Sequence, residues 1–370
     1  MLSAPDRSVP DPALREAFVG RIFGALIGAM ELFTIYLGYR LGFYDVLREG
    51  HSFTAPELAH RTHTDRRQVL EWLEQQAAAG ILEVVDVSAE VDDRRFWLPA
   101  AHAEVLTDER SLSYLLPFAR FAVGLAQPMD LLIDSFRTGK GVQWADFGAD
   151  MREGQAAQNR PAFERTLGTD WLPAVPEIDA RLRAVRPARV ADIACGAGWS
   201  TIAIARAYPN TRVDGYDLDG PSIELARANL AVEPVAMTER VSFSEADIAD
   251  PDLAGSYDLV TIFEALHDMT KPVAALTTIR RLLAPGGSLF IVDERTEDTF
   301  IAPAPEMERL FYGFSVLCCL PAGLVDEGSA GTGTVLRTAT LERYAREAGF
   351  GTVEVLPIEH DAFRFYRLRP

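Results

Sequence analysis

Four acidic residues, two glycines and a histidine fall where alternating strands and helices would gather them at one edge. In RVADIACGAGWST a predicted strand over 190–194, with Asp192 inside it, runs into Cys195, Gly196, Ala197 and Gly198, and a helix begins near Trp199. Glycines there let the backbone approach a ligand and accept φ values that other residues resist, while the helix start offers unpaired N–H groups. That pattern suits a small, partly anionic ligand. Asp217 lies nineteen residues beyond Gly198, at the end of the predicted strand RVDGYDLD, where a carboxylate accepts both hydrogens of a ribose diol. Charge-assisted bonds of this kind contribute about 1.5–3 kcal/mol each. The next strand, RVSFSEADI, puts Asp247 at its end, and SYDLVTIF runs into Glu264 and His267. A lone glycine loop also fits NAD-binding folds and plain tight turns, and a lone aspartate fits a solvated turn. The order of the acidic residues along successive strands narrows the reading.

The elements that must position these residues alternate strand with helix from Ala188 onward, the pattern of a parallel, doubly wound sheet. The helix PVAALTTIRRLL leads through Ala284, Pro285, Gly286 and Gly287 to a fifth strand, SLFIVDE, and TVEVLPI and AFRFYRL supply two more. Upstream, residues 13–48 carry Phe18, Ile22, Leu26, Phe33, Leu37 and Leu41 near one helical face, which needs a partner. Thr54 with Glu57, and Thr64 or Asp65 with Gln68, open two short helices, and Gly80 closes the second. The strands ILEVVDV and RRFWLP then form the wing of a winged-helix-like unit. Residues 102–180 read as helices broken at Gln127-Pro128, 139–141 and 159–161.

The motifs VADIACGAGWST, GYDLD, EADI, FEALHDM and LLAPGGSLFIVDE, in this order and spacing, resemble those of class I S-adenosylmethionine-dependent methyltransferases. The resemblance is to the small-molecule O-methyltransferase-like group with an N-terminal winged-helix dimerisation domain, and it covers nearly the whole chain. It implies an α/β fold: a Rossmann-like domain of seven strands, mostly parallel with an antiparallel C-terminal strand, plus a mostly helical winged-helix-like domain. The implied domains are 1–105 for dimerisation, 106–180 as helical linker and substrate cap, and 181–370 for catalysis. The implied cofactor is S-adenosyl-L-methionine, leaving as S-adenosyl-L-homocysteine. Asp192, Gly196 and Gly198 would line its methionine end, Asp217 the ribose, and Leu218 the adenine. Asp247 would accept from the adenine amino group beside the Ile248 backbone, and Phe263 and Glu264 would form the floor below the sulfonium. The family often has glycine where this chain has Ala194.

Methyl transfer from a sulfonium is a direct displacement, so alignment and exclusion of water come first, and no metal is required. If the nucleophile is a hydroxyl, a histidine with a reference pKa near 6.5 suits the general base. Leu266-His267-Asp268 resembles the family's segment bearing the catalytic histidine, which makes His267 the candidate. Glu264, Asp293 and Glu294 stand as alternatives that would position a substrate amine, and His267 with carboxylates as a metal set. The segment FIAPAPEMERLFYGFSVLCCLPAGL has an aromatic and sulfur-rich face suited to covering an apolar acceptor.

Bulk properties bound the rest. A chain of 370 residues calls for about two domains. A net charge of −18 repels phosphate backbones and anionic lipid, and the second helix of the winged unit mixes Arg66 and Arg67 with Asp65, Glu71 and Glu74, so no DNA-reading face emerges. Three cysteines, two of them adjacent, are no disulfide framework and fit a reducing, cytoplasmic setting. The first fifteen residues lack the apolar region of a signal peptide. The run 22–39 has the length of a membrane span but carries Glu31 and three glycines, favouring a buried or dimer-facing helix. The expected protein is a homodimer acting on a small-molecule acceptor. An N- or C-methyltransferase, a cofactor-binding protein without transfer and a DNA-binding sensor remain as rivals.

Overall fold

The structure, a computed structural model, describes residues 10–370; the signal-peptide reading rests largely on residues outside that range. The chain divides into two compact units, one running to Val123 and the other from Gly124 to Pro370. The expected linker segment is therefore split between them.

In the first unit, helix α1 (Pro12–Arg40) starts at Asp11, whose carboxylate accepts from the Ala13 and Leu14 N–H groups. It stops short of the predicted 48 because Gly42, at φ +70°, turns the chain in a left-handed conformation before a short helix, Phe43–Leu47. The C-terminal part of α1 docks on the helix Arg66–Ala78: Trp72 Nε1 donates to the Thr34 carbonyl at 2.9 Å, and Gly38 lies so close that an added Cβ would sit 2.3 Å from the Trp72 ring. The predicted capping pairs form. Thr54 and Glu57 make a reciprocal capping box on Ala55–Thr62, Asp65 caps Arg66–Ala78, and Gly80 follows at φ +73°. The wing is shorter than predicted, with β1 (Glu83–Val84) paired to β2 (Phe96–Trp97). Past Val85 the Asp86 carboxylate accepts from the Ser88 N–H and starts a turn instead of continuing the strand.

The second unit holds one seven-stranded sheet. Its strands are β3 (Ala188–Ile193), β4 (Thr211–Asp217), β5 (Val241–Glu245), β6 (Tyr257–Phe263), β7 (Leu283–Glu294), β8 (Thr352–Val355) and β9 (Phe363–Arg369), in the order β5-β4-β3-β6-β7-β9-β8. β3 to β7 are parallel, and β9 runs antiparallel to both β7 and β8. Every residue of β6 is buried, as expected of a strand covered on both faces. One face packs against Ile202, Ile204, Ile223 and Leu167, the other against Leu276, Ile279, Leu341 and Ala345. After β5 the chain returns to pair β6 with the free side of β3, so the strand order reverses beside β3. Ligands of open parallel sheets bind at the carboxyl ends next to such a reversal.

Candidate active site

The loop leaving β3 takes three left-handed residues in five: Ala194 at φ +55°, Gly196 at +52° and Gly198 at +79°. The two glycines differ in their surroundings. A Cβ on Gly198 would lie 2.5 Å from the Phe243 ring and 2.9 Å from Ala226, whereas one on Gly196 would meet nothing within 4 Å. Gly198 is fixed by packing and Gly196 borders open space. The helix Trp199–Ala207 begins directly after the loop, with the Arg160 guanidinium 4.0 Å above the Trp199 ring.

Asp192 is fully buried below this loop, and both its oxygens are engaged. Oδ2 accepts from Ser200 and Thr201 at 2.6 Å each, and Oδ1 from Thr261 at 2.7 Å. Burial raises its pKa against the pull of those hydroxyls. The side chain thus ties β3, β6 and the first helical turn together. Ser200 and Thr201 follow the glycine loop in the sequence, a signal that sequence reading passed over.

Asp217 closes β4. Its Oδ2 accepts from the Gly196 N–H at 2.8 Å and its Oδ1 from the Asp219 N–H at 2.8 Å. Each oxygen keeps a second lone pair. Burial raises its pKa, offset by those two N–H groups. Asp219, also missed from sequence, caps the next helix and receives Arg152 Nε at 2.5 Å. Leu218 beside it is a large apolar side chain that is 71% exposed. Asp247 lies two residues past the end of β5, not within it; it is exposed and accepts from the Ala249 N–H. Ile248 is buried. Phe263 ends β6, edge-on to Phe163 at 5.1 Å between ring centroids.

Glu264 follows with φ +49°, and its N–H donates to the Val292 carbonyl. Beyond it, a single helical turn (Leu266–Asp268) carries His267, which is 2% exposed. Nδ1 of His267 lies 2.9 Å from Asp293 Oδ1 and 3.1 Å from Glu294 Oε2, at the end of β7. Nε2 lies 3.5 Å from Asp268 Oδ1. Cys319, from the segment after β7, joins the cluster beside His267 and Asp268. Burial pulls the imidazole pKa down, but the Glu294, Asp293 and Asp268 carboxylates outweigh it and hold His267 well above 6.5. Burial pushes Glu294 up to about 7 and raises Glu264 and Asp268 as well. The structure therefore brings the glycine loop, Asp217 and the His267 cluster to the carboxyl edge of one sheet. Of the predicted residues, Asp247 and Leu218 stand at its outer, solvent-facing part.

A family model described as "Methyltransferase domain" matches residues 190–287, and one described as "Rv2258c-like winged HTH domain" matches 29–108. The chain is 32% identical over 164 residues to the O-methyltransferase rstn1 of Aspergillus nomiae, spanning 44% of this chain and 71% of that protein. The chain belongs to the class I S-adenosylmethionine-dependent methyltransferases. This methyltransferase also shares its fold with mitomycin 7-O-methyltransferase MmcR, at a TM-score of 0.65 and 22% identity, over 97% of this chain and 99% of that one. Human N-acetylserotonin methyltransferase, solved with S-adenosylmethionine, aligns at a TM-score of 0.67 and 16% identity over 98% and 99%. The methyltransferase thus takes S-adenosylmethionine as its cofactor and joins a winged-helix N-terminal unit to the catalytic sheet.

Proposed function

We propose that this methyltransferase transfers the cofactor's methyl group to a hydroxyl of a small molecule, with His267 as general base. The observation that carries the reading is that the His267 cluster and the cofactor loop meet at the carboxyl edge of β3, β4, β6 and β7. In this reading Gly196 leaves room for the methionine end of the cofactor, and Asp217 binds the ribose diol with its remaining lone pairs. Leu218 and Ile248 flank the adenine, Asp247 accepts from its amino group, and Phe263 and Glu264 lie under the sulfonium. Asp192 and Gly198 hold the loop in shape from below.

The acceptor oxygen attacks the methyl carbon as the carbon–sulfur bond breaks, and the sulfonium becomes a neutral thioether. The hydroxyl proton passes to Nε2 of the neutral imidazole, a form whose share grows with pH because the carboxylates hold the His267 pKa well above 6.5, and Asp293 keeps Nδ1 protonated and the ring oriented. Aligning the two reactants in a dry site supplies much of the acceleration, and a positioned base adds about 10²–10⁴-fold. Residues 1–105 act in dimerisation in this proposal, 106–180 as linker and cap, and 181–370 in catalysis, within the cytoplasm.

Calorimetric titration with S-adenosylmethionine, S-adenosylhomocysteine and NADH tests the cofactor site. Asp217→Ala should weaken binding of the first two at least tenfold, and unchanged affinity would remove Asp217 from the site. His267→Ala should leave cofactor affinity near normal and lower kcat by about 10²-fold or more; full activity would remove the general base.

A further inference from the structure

Fully ionised, the four carboxyls around His267 would carry more negative charge than one imidazolium balances. Glu264, Asp268, Asp293 and Glu294 surround it, and the charges acting most strongly on Glu264, Asp268 and Glu294 are those of one another, Asp293 and His267. Among the described residues that act most strongly on them there is no lysine or arginine. Nδ1 carries one hydrogen but faces two carboxylate oxygens, at 2.9 and 3.1 Å. That hydrogen goes to Asp293 Oδ1, so Glu294 Oε2 is left without a donor, as are Asp293 Oδ2 and Asp268 Oδ1. Asp293 is 1% and Glu294 8% exposed. A buried acceptor left without a donor is costly, more so when charged.

Such a cluster is relieved by protons or by a cation. The cofactor brings one positive charge at its sulfonium, but that charge vanishes when the methyl leaves. The acceptor is the remaining component that can carry a lasting positive charge into the site. Asp268 is the cluster's outward member, 38% exposed at its side chain while its Oδ1 stays buried. We infer that the acceptor bears a positively charged nitrogen near its reacting hydroxyl, received by Asp268 and Glu264 with Asp293 and Glu294 behind them. An acceptor with a carboxylate in the same position is repelled. The inference rests on the reading that the acceptor sits beside His267.

Three catechols of matched shape test it, by calorimetric titration into the full chain saturated with S-adenosylhomocysteine: dopamine, 4-ethylcatechol and 3-(3,4-dihydroxyphenyl)propionate. Dopamine should bind at least tenfold more tightly than the neutral probe, and the anionic probe weakest. Asp268→Asn and Glu294→Gln, each checked for retained S-adenosylhomocysteine binding, should cut the dopamine preference to under threefold. Equal affinities, a stronger anionic probe, or a preference unchanged in both variants would overturn the inference. So would a stoichiometric divalent ion found in the purified protein by mass spectrometry, because a metal would then balance the cluster. Loss of S-adenosylhomocysteine binding by the unaltered protein would instead sink the cofactor-site reading, so the two failures are told apart.

Discussion

Ala194 has φ +55°, a conformation in which a Cβ crowds the following carbonyl and costs about 1–2 kcal/mol. Glycine relieves that crowding but loses about 0.4–1 kcal/mol through its freer unfolded chain. Ala194→Gly should therefore raise stability by about 0.5–1 kcal/mol in urea denaturation, with cofactor affinity little changed. A loss of stability would mean that the alanine methyl does more for packing than its backbone costs. The departure from the family's glycine was visible in the sequence; its consequence appeared only with the dihedral angle. Asp217 and the two loop glycines were legible because residue type and spacing carry their geometry. The three hydroxyls that clamp Asp192 come from two elements, and Cys319 reaches His267 from a segment 52 positions downstream. Ser200 and Thr201 could be read from their place after the loop, but the Thr261 and Cys319 contacts follow from no local pattern.

Strands and helices of the sheet domain were legible as elements, because their burial follows the sequence period. The wing strands were overread: an apolar run such as ILEVV does not say that Asp86 will turn the chain after Val85. Helix α1 shows a different gap. Sequence asked for a partner along one face, but Phe18, Phe23, Ile27 and Met30 point around the whole helix and are each 44–64% exposed. A 29-residue helix is about 43 Å long, its mean hydropathy reaches 1.6 over its most apolar 18 residues, and none of that window is buried, so by length and composition it could also cross a membrane. A helix apolar all round is normally buried. A second copy of the chain supplies that burial in the homodimer proposed above. Ile22→Glu with Leu26→Glu should convert the dimer to monomer in sedimentation at tens of micromolar, with cofactor binding intact. Unaltered protein that sediments as a monomer, or that partitions onto neutral vesicles, would remove the dimer reading.

Charge acts at the scale of the whole molecule, where 54 acidic residues face 36 basic ones. Carboxylates such as Asp258, buried but accepting from the Arg189 backbone N–H and paired with the Arg181 and Arg186 guanidiniums, are held below their usual range by those partners. Their stabilisation is fully present above the unfolded pKa and is lost only in acid, well below neutrality. The site cluster works in the opposite direction. Glu264, Asp268, Glu294 and His267 all have pKa values raised by folding, the carboxyls through burial and the imidazole through its acidic neighbours. Each binds its proton more tightly in the folded chain, so its contribution is complete below the unfolded pKa and fades as pH rises through the folded one. For Glu294 that window runs from 4.5 to about 7, and for His267 it opens at 6.5 and extends upward. Self-repulsion of the net negative charge adds to the trend at higher pH. Thermal unfolding of the unliganded protein should therefore show a Tm that falls steadily between pH 5.5 and 8.5. Glu294→Gln, which removes one of the titrating groups without changing its shape, should flatten the lower half of that slope. A Tm that rises across this range would mean that the cluster is balanced by charges other than its own protons, and would take the raised pKa of His267 with it.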